Sequence, residues 1–294
     1  MEGLTISVPA KINLSIDVKD RLASGYHSVE MIMQTIDLFD IITVERTQSD
    51  VSIQCDDPQL PCDHGNIALK AAELFFEKCP YKGGARISLK KNIPIAAGLG
   101  GGSSDAAGVL KALNRLYDNC LTDTELAEIS GRLGADVAFF LSGGTQYAEG
   151  IGNELTQLPD FEGVHILLVN PGFPVSTKSV YTNLDINNMG ERPDIPDIIN
   201  AIKRRDINFV AENMRNVLES VTLKKYPELK TIMNKLIESG ALGSLMSGSG
   251  PTVFGIYQSG DKAEAAKEEF LKQYANVYHT ITIGRREQWL KYLN

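Results

Sequence analysis

Apolar residues recur along the chain with two different periods, and each change of period marks an element. Near the N-terminus, β-rich runs predict strands over residues 4–8, 12–18, 27–36 and 41–45. Asn66 then opens a helical pattern (Ile67, Ala71, Leu74, Phe75) that stops before Pro80. Residues 85–91 alternate as another strand. Ala106, Ala107, Val109, Leu110, Leu113 and Leu116 return at helical spacing, and a second helix, from Asp123 to Leu133, stops at Gly134. Beyond Gly150 the order changes. A strand over 165–170 leads through a Pro/Gly turn into helical segments between 195 and 238, which Gly240 ends. A hairpin of residues 242–246 and 252–257 around Gly-Ser-Gly-Pro, a helix over 262–273 and a strand over 277–283 follow. Strand, helices, two strands, helix, strand is the split-βαβ order of a ferredoxin-like module. The length of 294 residues suggests about two domains. The change of character divides them into residues 1–152 and 153–294.

Between the strand ending near residue 91 and the helix beginning near Ser103 lies Pro94-Ile95-Ala96-Ala97-Gly98-Leu99-Gly100-Gly101-Gly102-Ser103-Ser104. Successive glycines let the backbone approach a ligand closely with its N–H groups turned inward, and the following helix adds unpaired donors and a positive dipole end. Together these describe a phosphate cradle. A plainer alternative is a tight strand-to-helix turn with Ser103 or Ser104 as N-cap, yet four glycines in five residues exceed what a turn needs. The loop is not a Walker A motif, since no lysine follows the glycines. It is not a dinucleotide fingerprint either, because Ser103 stands where the third glycine belongs. No His-Arg-Asp or Asp-Phe-Gly triplet of the eukaryotic-type kinases is present.

The loop resembles the nucleotide-binding motif of the GHMP small-molecule kinases. Pro9-Ala10-Lys11-Ile12-Asn13-Leu14 is similar to that family's first motif, and Gly248-Ser249-Gly250-Pro251-Thr252 to its C-terminal one. The resemblance implies an α+β fold of two lobes, the N-terminal one like ribosomal protein S5 and packed on the ferredoxin-like module. It also implies phosphoryl transfer from ATP, with Mg²⁺, for which the sequence offers no dedicated cage. Gly25-Tyr26-His27 and Gly134-Ala135-Asp136-Val137 followed by Phe139-Phe140-Leu141 resemble one branch more closely, in which the acceptor is the 2-hydroxyl of a cytidine-diphosphate-linked methylerythritol. Ser24 and Ala138 depart from that branch, where Asp and Pro are usual; neither carries the chemistry.

The resemblance assigns Asp136 as the catalytic base, although locally it reads equally well as the N-cap of a short helix. Lys11 would stabilise developing charge on the phosphoryl group; alone, a lysine is usually a solvated surface group. Residues 94–104 would hold the nucleotide. Asn66, most simply a helix N-cap, and Lys91 would lie near the adenine. Asn13 would touch the acceptor, His27 would hydrogen-bond the cytosine edge, and Tyr26 or Tyr181 would stack on its face. Gly248, Ser249 and Gly250 are either a simple hairpin turn or a loop that closes over the site.

Bulk properties narrow the partners. The net charge of −8 argues against nucleic acid or an anionic membrane surface. Attraction for polyanionic substrates must therefore be local. Ile166-Leu167-Leu168-Val169 is far too short to span a bilayer, and the residues after Met1 lack a basic, then apolar, signal pattern. Cys55, Cys62, Cys79 and Cys120 form no Cys-x-x-Cys pair and the four histidines are scattered, so reduced thiols in a cytoplasm, without a metal site, are expected.

Overall fold

The computed structural model describes residues 2–285 and the short strand at 292–293. Strands β1 (Gly3–Arg21) and β2 (His27–Thr47) form one long antiparallel hairpin. The four runs expected at residues 4–45 are thus two strands. The register shifts at Pro9/Ala10, Asn13/Ser15 and Val18/Asp20 let β1 continue through Pro9; such bulges interrupt the alternation on which a reading by period depends. Strand β3 (Val51–Cys55) lies parallel to β4 (Gly84–Lys90), and β4 pairs with the second half of β2. The first half of β2 pairs instead with β5 (Thr145–Glu149), which carries β6 (Glu154–Gln157). Strand β11 (Tyr292–Leu293) pairs with Thr5 and Ile6. Strands β3, β5 and β6 were not anticipated; all are only four or five residues long, too few to establish a period.

On this sheet pack α1 (Ile67–Lys78) and α2 (Gly101–Leu116), and against these helices lie α3 (Asp123–Leu133) and α4 (Ala135–Ser142). α2 sits directly on the hairpin: a Cβ on Gly108 would lie 2.4 Å from Val8 and 2.8 Å from Ile42, so only glycine permits this approach. α3 begins with a full capping box, Thr122 and Glu125 each satisfying the other's backbone.

The second sheet has the order β10-β7-β9-β8, where β7 is His165–Asn170, β8 Gly243–Met246, β9 Val253–Tyr257 and β10 Asn276–Ile281. Numbered within the module this is 4-1-3-2, all antiparallel, as expected of a split-βαβ unit. Between β7 and β8 run α5 (Thr177–Thr182), α6 (Ile195–Arg204), α7 (Ile207–Asn213), α8 (Glu219–Lys225) and α9 (Glu228–Glu238). α10 (Gly260–Phe270) connects β9 to β10. Among the described residues no helix is long and apolar enough to cross a membrane.

β1 serves both halves. Ile6, Val8, Ile16 and Val18 join the core under α1–α4, whereas Ala10, Ile12 and Leu14 join a second core with Ile166, Leu168, Phe254 and Ile256. Main-chain bonds from Ile16 to Arg215 and Val217, and from Thr35 to Ile283, stitch the halves together. The cleft between them is therefore built on β1, the strand that carries Lys11 and Asn13.

Candidate active site

The glycine loop runs along the edge of β1. Lys11 N–H donates to Leu99 O at 3.0 Å and Ser104 Oγ donates to Pro9 O at 2.6 Å. Ser103 and Ser104 are thus inside α2. Neither is its N-cap, which is Gly100 in a left-handed conformation (φ 73°), and no side chain caps the helix. The serine cap of the plain-turn alternative is corrected by this geometry; the first N–H groups of α2 have no intrahelical acceptor and no side-chain cap, and Gly100–Ser103 border a cavity of about 490 Å³. A Cβ on Gly98 would strike Ser247 O at 2.2 Å, and one on Gly100 would lie 2.8 Å from Phe140 and 3.0 Å from the Lys11 stem. The crowding explains why glycines are required here beyond the turn itself.

Lys11 and Asn13 lie two apart on β1 and so share its cleft face. Lys11 Nζ donates to Asn13 Oδ1 at 2.6 Å and stands 3.6 Å from Asp136 Oδ2. The Lys11 side chain is 6% exposed and that of Asp136 32%, so the carboxylate is open to the cavity while the ammonium is backed by protein. Asp136 is in the first turn of α4, whose N-cap is Gly134; the N-cap reading of Asp136 is overturned. A carboxylate in a first turn is favoured by the helix dipole.

Tyr181, on α5, lines the same cavity, and its ring centroid lies 5.3 Å from that of His27. Burial, and then the Asp136 charge, push its phenol up to about 12. Burial and the charge of Arg21 lower the pKa of His27. Tyr26, by contrast, is 65% exposed in the β1–β2 turn. Asn66 is the N-cap of α1, accepting from Ala68 N at 2.9 Å, and lines the cavity beside Ile67 and Pro61. Lys91 also lines it, but its ammonium is held by the buried carboxylates of Asp40 and Asp105 (2.6 Å to Asp105 Oδ2). Burial pushes Asp105 up to about 7, against the pull of Lys91.

From the second half comes the Gly248-Ser249-Gly250 loop, with Gly248 and Ser249 on the cavity wall. Ser247 Oγ donates to Gly98 O at 2.9 Å. Asn216 Nδ2 donates to both Met246 O and Gly248 O at 2.8 Å, Thr222 donates to Ser249 O at 3.2 Å, and Glu219 accepts from Met246 N at 2.9 Å. The loop is more than a hairpin turn, because it is clamped from α8 and pressed on the glycine loop.

Residues 66–144 match the profile described as GHMP kinases N terminal domain, and residues 198–276 that described as GHMP kinases C terminal. The 4-diphosphocytidyl-2-C-methyl-D-erythritol kinase of Clostridium novyi is 47% identical over 274 residues, 93% of this chain and 98% of the relative. The enzyme of the same name from Acetivibrio thermocellus is 46% identical, over 96% of this chain and the whole relative. The chain belongs to the 4-diphosphocytidyl-2-C-methyl-D-erythritol kinase family of the GHMP kinases. A crystal structure of 4-(cytidine 5'-diphospho)-2C-methyl-D-erythritol kinase superposes with a TM-score of 0.82 at 35% identity, over 96% of this chain and all of that one. Homoserine kinase from Cytophaga hutchinsonii, at 20% identity and a TM-score of 0.76, shares the fold.

Within this GHMP kinase frame, one cavity gathers Lys11, Asn13, Asp136, Asn66, Lys91, Tyr181 and most of the 94–103 loop. Sequence reasoning missed Thr177, whose hydroxyl lies 2.9 Å from Ser249 Oγ, and the Asn216 clamp. A lone Asn between helices and a Thr in the first turn of a short helix carry no pattern, so neither had a local signal.

Proposed function

We propose that the chain transfers the γ-phosphoryl group of ATP to the 2-hydroxyl of 4-diphosphocytidyl-2-C-methyl-D-erythritol, giving the 2-phosphate and ADP, in non-mevalonate isoprenoid precursor biosynthesis in the cytoplasm. The observation that carries this reading is the Lys11–Asp136 ion pair at the uncapped start of α2. A hydroxyl acceptor, a carboxylate to receive its hydrogen bond and an ammonium for the transferring group then converge beside a phosphate cradle.

Phosphoryl transfer depends chiefly on alignment and charge stabilisation. The backbone N–H groups of Gly101–Ser103 hold phosphate oxygens, while Gly98 and Gly100 let the loop pack closely on Ser247, Phe140 and Lys11. Asp136 accepts the acceptor's O–H and sets its lone pair toward the phosphorus. Lys11 stabilises charge on the transferring oxygens while its bond to Asn13 Oδ1 fixes the ammonium. His27 and Tyr181 hold the cytidine end of the acceptor. Among the described residues no group of three metal-ligating side chains comes together; Mg²⁺ bound with the nucleotide would supply charge neutralisation of its phosphates.

The test is a coupled ADP-release assay with a panel of acceptors. Turnover is expected with the cytidine diphosphate compound and not with homoserine or mevalonate. Turnover of another acceptor in its place, or ATP binding with no turnover at all, would replace this reading.

A further inference from the structure

The sulfur atoms of Cys79 and Cys120 lie 3.0 Å apart. That is inside ordinary sulfur–sulfur contact and about one ångström from the ~2.05 Å of a covalent bond. Both residues are half-buried thiols, and each lies just outside a helix. Cys79 caps the C-terminus of α1, its N–H bonded to Phe75 O at 2.8 Å. Cys120 follows the left-handed pair Asp118 and Asn119 (φ 57° and 53°) and bonds back to Tyr117 O. The small approach needed therefore falls on a turn and a helix end, and leaves the hydrogen bonds within α1 and α2 in place.

We propose that Cys79 and Cys120 form a reversible modification site, a dithiol that small-molecule disulfides of the glutathione type oxidise to an intramolecular disulfide. One thiolate attacks the oxidant, forming a mixed disulfide and releasing one thiolate of the oxidant. The second cysteine loses its proton, attacks the protein sulfur of that mixed disulfide and displaces the other. Two electrons pass from the cysteine pair to the oxidant, and the two protons end on the two small thiols released. Burial, with the neighbouring Cys79 thiol, pushes Cys120 up to about 12. Exchange at this thiol is therefore slow at neutral pH.

The bond closes a ring over residues 79–120, which contains β4, the whole glycine loop and α2. The N-termini of α1 and α2, at Asn66–Ile67 and Gly100–Ser103, border the cavity, whereas the two cysteines join the distal ends of the same helices. The cross-link is thus a staple on the frame of the cradle, outside the cavity itself. Its effect is to restrict the unfolded and locally opened chain.

The experiment treats the full-length protein with excess oxidised glutathione at mildly alkaline pH, followed by non-reducing peptide mapping and thermal unfolding. The expected result is loss of two hydrogens' mass, a peptide joining Cys79 to Cys120, and a Tm higher by roughly 5–10 °C that dithiothreitol reverses. Cys79→Ser and Cys120→Ser should each abolish both the linked peptide and the shift; if either variant folds poorly, the wild-type map and the other variant decide. A link between Cys55 and Cys62 in its place, stable glutathione adducts on Cys79 or Cys120, or a linked 79–120 peptide without a reversible Tm rise overturns the proposal.

Discussion

Lys11 Nζ stands 3.6 Å from Asp136 Oδ2 and 2.6 Å from Asn13 Oδ1, so one buried ammonium joins a strand of the first sheet to the first turn of α4. Three side chains from two elements are thereby held against the start of α2. Removing any one of them changes the reaction in a distinguishable way.

Asp136→Asn keeps the shape of the site but removes the charge and the group able to take the proton of the substrate hydroxyl. Turnover should fall by about 10²–10⁴-fold with nucleotide affinity little changed. Steady-state kinetics beside ATP titration of the purified variant make the check. Near-normal kcat would remove Asp136 from its proposed role.

Lys11→Met preserves the buried stem but leaves no positive charge for the transferring group. A loss in kcat of about 10²–10³-fold is expected, larger than any change in the KM for the cytidine substrate. A change confined to KM would mean that Lys11 only binds.

Of the two candidates for the cytosine face, Tyr26 and the more loosely matched Tyr181, it is Tyr181 whose ring meets His27. Tyr181→Ala should raise the KM of the cytidine substrate roughly 5- to 100-fold, in line with base–aromatic stacking of about 1–3 kcal/mol. Tyr26→Ala, at a 65% exposed position, should change it far less. His27→Ala should raise that KM much more than the KM for ATP. Because burial and Arg21 depress the His27 pKa, its neutral imidazole persists below the ordinary histidine range. The KM should stay level through neutral pH and rise only in more acid buffer. An equal response of both substrates would place His27 elsewhere in the mechanism.

Lys91 holds two buried carboxylates, Asp40 and Asp105. Lys91→Met strands both, and the expected loss of stability is about 3–5 kcal/mol. Urea unfolding measures it directly. A folded, fully stable variant with only a raised KM for ATP would show that Lys91 acts on the nucleotide and not on the fold.

Burial pushes Glu219 up to about 7 while its Oε1 accepts from Met246 N. A carboxyl raised in the folded state contributes stability that is fully present below its unfolded value, near 4.5, and is lost as pH rises through about 7. Glu219→Gln keeps the acceptor and abolishes the titration. At pH about 8 the variant should be more stable by about 1–2 kcal/mol, allowing for partial exposure, relative to the difference below pH about 4, where the gain vanishes. Equal stability differences at both pH values would exclude this linkage.

Helices α2 and α3, strand β7 and the split-βαβ order of the second module were legible in the sequence because their signals are local: an apolar period, a terminal glycine, a run of glycines. The same holds for the glycine loop, since backbone freedom at Gly98 and Gly100 is a property of those residues themselves. Only the tertiary structure decided that β1 and β2 run unbroken, because a bulge disguises continuity as two short runs. It also decided that Lys91 is occupied by Asp40 and Asp105, that Tyr181 and not Tyr26 meets His27, and that Asn216 and Ser247 press the second half's loop onto Gly98. Each of these depends on which faces of two sheets are brought together. The burial and ion pairing that set such contacts arise between residues far apart in the chain, where periodicity carries no information.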